Sequence, residues 1–185
     1  VRGLVAFARM TGVVVEARRA CPQPLVAAVD GVCAGAGAVV AMASDLRVGL
    51  KGTQVGITET RIAGRGSPWA IPLLWMLPQP LLMEMVLTGD LYPIDTFHQL
   101  GFINYLEDTP DAVRARAQSL AERIRDNAPL SVMAGKESIM TAMSAGCDAG
   151  MALAQNIYRA AYASEDAQEG PRAFAEKRKP VWKGR

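Results

Sequence analysis

The segment DGVCAGAGAVVAMASD, residues 30–45, determines how the rest of this sequence is interpreted. The apolar run PLVAAV before it, residues 24–29, predicts a short buried strand, and the Ala-, Val- and Met-rich residues 36–43 predict a short buried helix. Three glycines, at positions 31, 35 and 37, lie between or at the edges of these elements. A glycine-rich turn from strand to helix lets backbone approach a ligand closely and directs unpaired N–H groups at it. Such a turn favours an oxygen that carries or gains negative charge.

Two glycine-rich phosphate motifs do not fit this segment. Val40 stands where the dinucleotide fingerprint needs its third small residue, and the predicted helix is too short for that fold. No Gly-Lys-Ser/Thr follows, so the segment is not a P-loop. The spacing alone leaves one structural alternative open, in which the glycines serve close packing of helix on strand.

Composition restricts the class of protein. Half of the 185 residues are apolar and 21% are charged, which predicts a globular domain, and the net charge of +2 gives no support for a nucleic-acid partner. Three cysteines without C-x-x-C spacing favour buried, reduced thiols in a cytoplasmic protein over a disulfide framework or a zinc site. The longest uncharged stretch, residues 66–83, contains four prolines, so we expect no membrane-spanning helix.

Alternating short strands and helices predict an α/β core over residues 1–108, and residues 109–185 are predicted to form a helical C-terminal region. Thr109 and Pro110 form a helix start, with an N-cap followed by proline at the first helical position. Residues 60–68 are interpreted as a glycine-rich loop. The predicted strands are 25–29, 46–49 and 102–106, and the predicted helices are 4–20, 36–43, 80–87, 93–100, one from 110 onward, 130–143, 148–163 and 166–177.

Three motifs, in the same order along the chain, resemble the crotonase (enoyl-CoA hydratase/isomerase) superfamily. They are residues 22–59, MEMVLTG at 83–89, and the pair SEDAQEG and AFAEKRKP at 164–170 and 173–180. The last motif is also similar to that of carnitinyl-CoA dehydratases. The resemblance implies the ClpP/crotonase spiral of ββα units with a C-terminal helical region that forms a homotrimer or a dimer of trimers. It also implies an acyl-CoA thioester as substrate, with coenzyme A as part of that substrate and no metal or redox cofactor.

The resemblance also assigns roles to residues. The backbone N–H of Ala36, in the turn with Gly35 and Gly37, would be one donor to the thioester carbonyl, and the other donor would come from a family segment N-terminal to Val1. Glu59 matches the second glutamate of the hydratase pattern and would handle the proton. Val39 stands where the family has its first glutamate. Phe174 and Lys177 would be possible contacts to coenzyme A.

The valine at position 39 leaves several functions open. Valine can neither bind water nor carry a proton, so hydration by two glutamates is in doubt, while a single glutamate suits double-bond isomerisation. The alternative that is not an enzyme is a catalytically degenerate subunit that only binds acyl-CoA. The weaker candidates are Arg61 and Arg65 for a polar acyl group, Glu84 and Asp45 as structural groups, and His98, whose isolation argues against a triad or metal site.

Overall fold

The computed structural model describes Ala17, residues 20–62 and residues 68–185. Most of the helix predicted over residues 4–20 lies outside the described residues, and so does Arg65 with the centre of its loop. Contacts divide the chain into two compact units.

Two small sheets organise the first unit. The strands are β1 (Val26–Val29), β2 (Cys33–Ala34), β3 (Leu46–Leu50), β4 (Gln54–Gly56), β5 (Leu91–Pro93) and β6 (Tyr105–Glu107). In the described residues, β1 pairs with β3 and β3 with β6, all in parallel, and Val48 at the centre is fully buried. In the second sheet, β2 is parallel to β4, with Ala34 opposite Gly56, and β4 is antiparallel to β5.

Helices cover these sheets and continue through the C-terminal region. The α-helices are α1 (Ala36–Ala43), α2 (Gln79–Thr88), α3 (Ile94–Gln99), α4 (Pro110–Arg125), α5 (Pro129–Ala145), α6 (Cys147–Ile157), α7 (Arg159–Tyr162) and α8 (Asp166–Ala175). Two 3₁₀ helices span Glu59–Ile62 and Pro68–Trp75. Apolar side chains from α1, α2, α3 and the second sheet form the main core, in which Phe97 and Ile94 are fully buried.

The predicted α/β architecture with a helical C-terminal region is confirmed. Helix α1 has the predicted bounds, and the Thr109 hydroxyl accepts a hydrogen bond from the Ala112 N–H at 3.2 Å, as expected of an N-cap. The short strands β2, β4 and β5 were not predicted, because two or three residues are too few to show a hydrophobic period. The prediction of a loop from residue 60 was also incomplete, since a 3₁₀ turn begins at Glu59.

The strand predicted over 102–106 forms only at Tyr105–Glu107. The N–H groups of Phe102 and Ile103 both donate to the carbonyl of Phe97, which completes the end of α3. The Phe102 carbonyl accepts a hydrogen bond from the Arg47 guanidinium. These backbone groups are therefore already bonded and cannot extend the ladder with β3.

Arg47 on β3 is buried and connects three elements. Its side chain is only 7% exposed, and its guanidinium lies over the ring of Phe102, 4.5 Å from the ring centroid. A cation at the C-terminal end of α1 complements the partial negative charge of the helix carbonyls. The oxygens that accept from this guanidinium include the carbonyls of Ala41 at 3.0 Å, Ser44 at 2.6 Å, Asp45 at 3.3 Å and Phe102 at 2.5 Å.

The boundary between the units lies within α4, after Leu120. The first turns of this helix bury Val113, Ala117 and Leu120 in a cluster with Val48 of β3, so they belong to the first unit. The predicted boundary, between residues 108 and 109, follows the change from alternating to helical sequence instead. The second unit consists of residues 22–24 and 121–185.

In the second unit, α5 and α6 pack closely and the C-terminal tail is bonded to α8. A Cβ built on Gly150 would lie 2.7 Å from the Cα of Ala142, so no larger residue fits between these helices. The carboxylate of Asp166, 3% exposed, accepts the N–H groups of Lys183 at 2.7 Å and Gly184 at 2.9 Å. The tail forms neither a helix nor a strand here, so this carboxylate accepts the two backbone N–H groups that would otherwise lack a partner.

The expectation of three buried cysteines holds only at Cys33, since Cys21 is half-buried and Cys147 is exposed. Cys33 on β2 is buried, and burial raises the pKa of its thiol to about 11, so the thiol stays protonated at neutral pH. The expectation of burial is wrong for Cys147, because this residue opens α6 on the surface. Within the described residues, no helix combines the length and the apolar character that a membrane span requires.

We expect Gly56→Ala to lower the free energy of unfolding by about 1–3 kcal/mol. A Cβ at this position would lie 2.5 Å from the Asp90 carbonyl oxygen and 3.2 Å from the Leu91 Cα, and both are backbone atoms that cannot rotate away. Gly31→Ala is the matched control, since no atom lies within 4 Å of its added Cβ, and it should change stability by less than about 0.5 kcal/mol. Equal effects in denaturant titrations would contradict this packing.

Acid should weaken the second unit through Glu169. The hydrogen bond from Arg178, followed by one from the Val181 N–H, lowers the pKa of the Glu169 carboxyl from its ordinary value of 4.5 to about 2. Its contribution to stability is therefore complete above about pH 4.5 and is lost as the pH falls towards 2.

Thermal melts from about pH 6 to about pH 2 bracket this window, and the wild-type advantage over Glu169→Gln should shrink as the pH falls through it. Glu137→Gln, at an exposed glutamate of α5 in the same unit, should follow the wild-type curve. A constant difference between the wild type and Glu169→Gln down to about pH 2 would exclude this carboxylate as the acid-sensitive group.

Candidate functional site

The candidate site begins at the N-terminus of α1. Gly35 precedes the helix with φ 54° and ψ −125°, a conformation that favours glycine, and it offers no side-chain cap. The first intrahelical bond, from the Val39 N–H to the Gly35 carbonyl, is 3.1 Å long. The preceding N–H groups of the first turn, including that of Ala36, have no partner within the helix. Ala36 and Gly37, which carry two of these donors, are exposed residues.

Parallel strand pairing brings Glu59 to this turn. Ala34, the last residue of β2, lies opposite Gly56, the last residue of β4, so the segments that follow leave the sheet side by side. One segment is the Gly35 turn, and the other leads to Glu59 at the start of the 3₁₀ helix. A Cβ built on Gly35 would lie 3.5 Å from Oε1 of Glu59. A carboxylate therefore lies directly beside the N-terminus of α1.

The Glu59 carboxylate is buried without a hydrogen-bond partner. Both of its oxygens are inaccessible, and no donor among the described residues reaches either of them. By contrast, the half-buried carboxylate of Asp45 is bonded, since its Oδ2 accepts the Leu25 N–H at 2.7 Å. A buried polar group left unpaired is uncommon because burial removes its water without replacement, which makes Glu59 a candidate functional group.

Val39 lies one helical turn after Gly35, on the same face of α1. It is 1% exposed and belongs to the main core. This position therefore contributes methyl groups, and the carboxylate that the hydratase pattern has here is missing.

The other candidates have structural partners or lie at the surface. Arg61 forms an ion pair with Asp90, which accounts for its charge within the unit. Asp45 bonds the backbone at Leu25, as the sequence suggested, and Glu84 is exposed on α2. His98 is exposed, and its Nδ1 lies 2.9 Å from the carbonyl oxygen of Ile103. Across residues 20–62 and 68–185, no three His, Cys, Asp or Glu side chains are grouped so that they could hold a metal ion.

Phe174 and Lys177, the predicted coenzyme A contacts, lie in the second unit. Phe174 on α8 is 88% exposed, and Lys177 follows the helix with φ 53°. Several basic residues after them are engaged within the unit, since Arg178 pairs with Glu169 at 2.5 Å, and Lys183 and Arg185 pair with Glu165 at 2.8 Å and 3.3 Å. The net positive charge that the tail presents is therefore smaller than its sequence suggests.

Comparisons with known proteins match this chain to one family and to acyl-CoA hydratases and dehydratases. The family described as Enoyl-CoA hydratase/isomerase matches residues 14–185. The chain is 31% identical to (E)-benzylidenesuccinyl-CoA hydratase of Thauera aromatica over 165 residues. This aligned region is 88% of this chain and 63% of the relative. The chain is also 32% identical to carnitinyl-CoA dehydratase of Salmonella typhi over 170 residues, and this aligned region is 88% of this chain and 64% of the relative.

A solved structure agrees with these sequence matches. The enoyl-CoA hydratase of Mycobacterium tuberculosis superposes with a TM-score of 0.84 and 35% identity, over 89% of this chain and 65% of that one. The crotonase-like fold expected from the sequence is thereby confirmed. The chain spans a little under two thirds of the length of these relatives.

We expect Glu59→Gln to raise the free energy of unfolding by about 0.5–2 kcal/mol, because it removes a buried charge that has no partner. Asp45→Asn is the matched comparison and should lower it by about 1–2 kcal/mol, because it weakens the bond to Leu25. Denaturant unfolding measures both. A loss at Glu59 as large as that at Asp45 would mean that the Glu59 carboxylate is satisfied in the folded protein.

Proposed function

The chain belongs to the enoyl-CoA hydratase/isomerase family, and on this basis we propose that it binds an acyl-CoA thioester and moves a proton at the acyl α-carbon, with Glu59 as acid and base. The observation that carries this proposal is the buried, unpartnered Glu59 carboxylate beside the Gly35 turn. A group of this kind can exchange a proton with a bound molecule without first breaking a bond to the protein.

The Ala36 N–H would bind the thioester carbonyl oxygen. As the α-proton leaves, negative charge grows on this oxygen, and a donor at a helix N-terminus stabilises that charge more than it stabilises the neutral thioester. A preorganised donor of this type contributes about 3–4 kcal/mol to lowering the barrier. The adjacent positions Gly35 and Gly37 carry no side chain, which would let the acyl group approach the backbone.

A single carboxylate is sufficient for double-bond isomerisation. Glu59 would take a proton from C2 of a 3-enoyl thioester, giving a dienolate held at the Ala36 N–H, and would return the same proton to C4. The product is the 2-enoyl thioester, and no water, metal or redox cofactor enters the balance. Coenzyme A enters only as part of the substrate.

Hydration requires more than Glu59 alone. A water molecule must be oriented towards C3 while a proton is delivered to C2, and the buried Val39 provides no group for the first task. The relatives named above are two hydratases and a dehydratase, which keeps hydration as the second candidate. The third is an acyl-CoA-binding subunit without catalysis.

The second unit supplies two further parts of the proposal. The exposed Phe174 ring and the nearby Lys177 ammonium would contact coenzyme A, by stacking and by charge respectively. Exposed apolar side chains on the helices α5 and α6, namely Ile139, Met151 and Leu153, support assembly into a homotrimer or a dimer of trimers. A cytoplasmic location is part of the same proposal.

The test measures the full-length protein with crotonyl-CoA and a 3-enoyl-CoA in separate reactions, following the absorbance of the 2-enoyl thioester. We expect wild-type protein to convert the 3-enoyl substrate and to leave crotonyl-CoA unhydrated. Glu59→Gln should lose about 10²–10⁴-fold in kcat and retain acyl-CoA binding. Glu137→Gln, on an exposed face of the second unit, should retain full activity.

Each other outcome supports a different function. Hydration by the wild type would show that Val39 does not prevent it. Hydration only in Val39→Glu, after a melt has confirmed that this core substitution folds, would show a working carbonyl site that lacks one carboxylate. Acyl-CoA binding with no turnover of either substrate would overturn the enzyme proposal in favour of a binding subunit.

A further inference from the structure

The two residues that follow Glu59 are both bonded to the end of α2. Thr60 Oγ1 donates to the Val86 carbonyl at 2.6 Å. Arg61 forms an ion pair with Asp90, and its Nε donates to the Thr88 carbonyl at 3.4 Å. The Glu59 side chain, in contrast, has no hydrogen bond of its own within the described residues. Its position therefore depends on the backbone that Thr60 and Arg61 hold.

The C-terminus of α2 suits this anchoring. The last carbonyls of a helix have no intrahelical partner and carry partial negative charge, which attracts a guanidinium. Gly89 ends the helix with φ 70°, and a Cβ at this position would lie 2.8 Å from Cγ of Arg61. The absent side chain therefore leaves the space in which the Arg61 stem crosses the helix end towards Asp90.

We propose that Arg61, with Asp90 as its partner, is a positioning residue that fixes the Glu59 carboxylate beside the N-terminus of α1. Arg61 touches neither Glu59 nor the proposed substrate in this role and acts through the one-turn 3₁₀ helix. Its effect on turnover rests on the function proposed above, whereas its effect on the order of the Glu59 segment does not.

This role separates stability from rate. The two side chains of the pair are 55% and 49% exposed, and such exposed pairs contribute little to stability. A displacement of about 1 Å at a reacting group, however, lowers a rate by up to about 10²-fold. A positioning residue should therefore change kcat far more than it changes the melting temperature or KM.

The experiment compares Arg61→Gln with Arg116→Gln in the full-length protein, using whichever enoyl-CoA the wild type converts. Arg116 on α4 is the control, because it forms an ion pair at 2.7 Å with Glu107 of β6. The two side chains of this pair are 46% and 20% exposed, so it is somewhat more covered than the Arg61 pair. We expect Arg61→Gln to lower kcat by about 10–100-fold with KM within about two-fold, and Arg116→Gln to leave both unchanged. Both melting temperatures should fall by no more than about 3 °C.

Asp90→Asn completes a double-mutant cycle. If the pair acts as a unit, the double variant Arg61→Gln with Asp90→Asn should lose no more kcat than either single variant. Losses that multiply, an unchanged kcat in Arg61→Gln, or an equal loss in Arg116→Gln would each overturn the proposal.

Amide hydrogen exchange of the peptide that contains residues 56–62 provides a readout that does not need turnover. Arg61→Gln should accelerate exchange in this peptide at least about ten-fold relative to Arg116→Gln. If Arg61→Gln accelerates exchange while the wild type converts neither substrate, the proposed function is contradicted and the positioning role is retained. Unchanged exchange would overturn the positioning role whatever the activity.

Discussion

The buried guanidinium of Arg47 is the contact on which the geometry of the first unit depends. It donates to carbonyls at the end of α1 and to the carbonyl of Phe102, and the backbone N–H of Arg47 donates to Oδ1 of Asn104 at 2.8 Å. These bonds fix the C-terminal end of α1 against β3 and end the ladder with β6 at Tyr105. A helix of eight residues fixed at one end presents its other end in a defined place. The donors of the candidate site lie at that other end.

The site itself is formed where two parallel strands end. Strands β2 and β4 finish opposite each other, so the Gly35 turn and the Glu59 segment emerge as neighbours although they are far apart in sequence. An N–H donor and a carboxylate thereby come close together, and Val39, one turn further along α1, belongs to the main core. The unpaired Glu59 carboxylate costs the fold stability, and the anchored residues Thr60 and Arg61 keep it in place. Such local cost is common where a protein holds a reactive group ready for a ligand.

The features of this arrangement that depend on local sequence were predictable, whereas those that depend on contacts between distant segments were not. The bounds of α1 and the cap at Thr109 depend on local periodicity and capping chemistry. The short strands β2, β4 and β5 depend on long-range pairing instead. The pairing of Arg61 with Asp90 was likewise hidden, because no local pattern in the sequence relates two residues that lie 29 positions apart. Glycine at position 56 gave no local signal of the close approach of the backbone at Asp90.

By itself, the sequence determined the α/β class, the helical C-terminal region, the family resemblance and the identity of the candidate residues, because residue type, spacing and motif order carry this information. The tertiary structure alone decided that Glu59 lies against Gly35, that its carboxylate is buried without a partner, and that Arg47 and Arg61 have partners distant in sequence. The physical reason is that strand register and side-chain burial are set by contacts between segments. Such contacts exist only after the chain has folded.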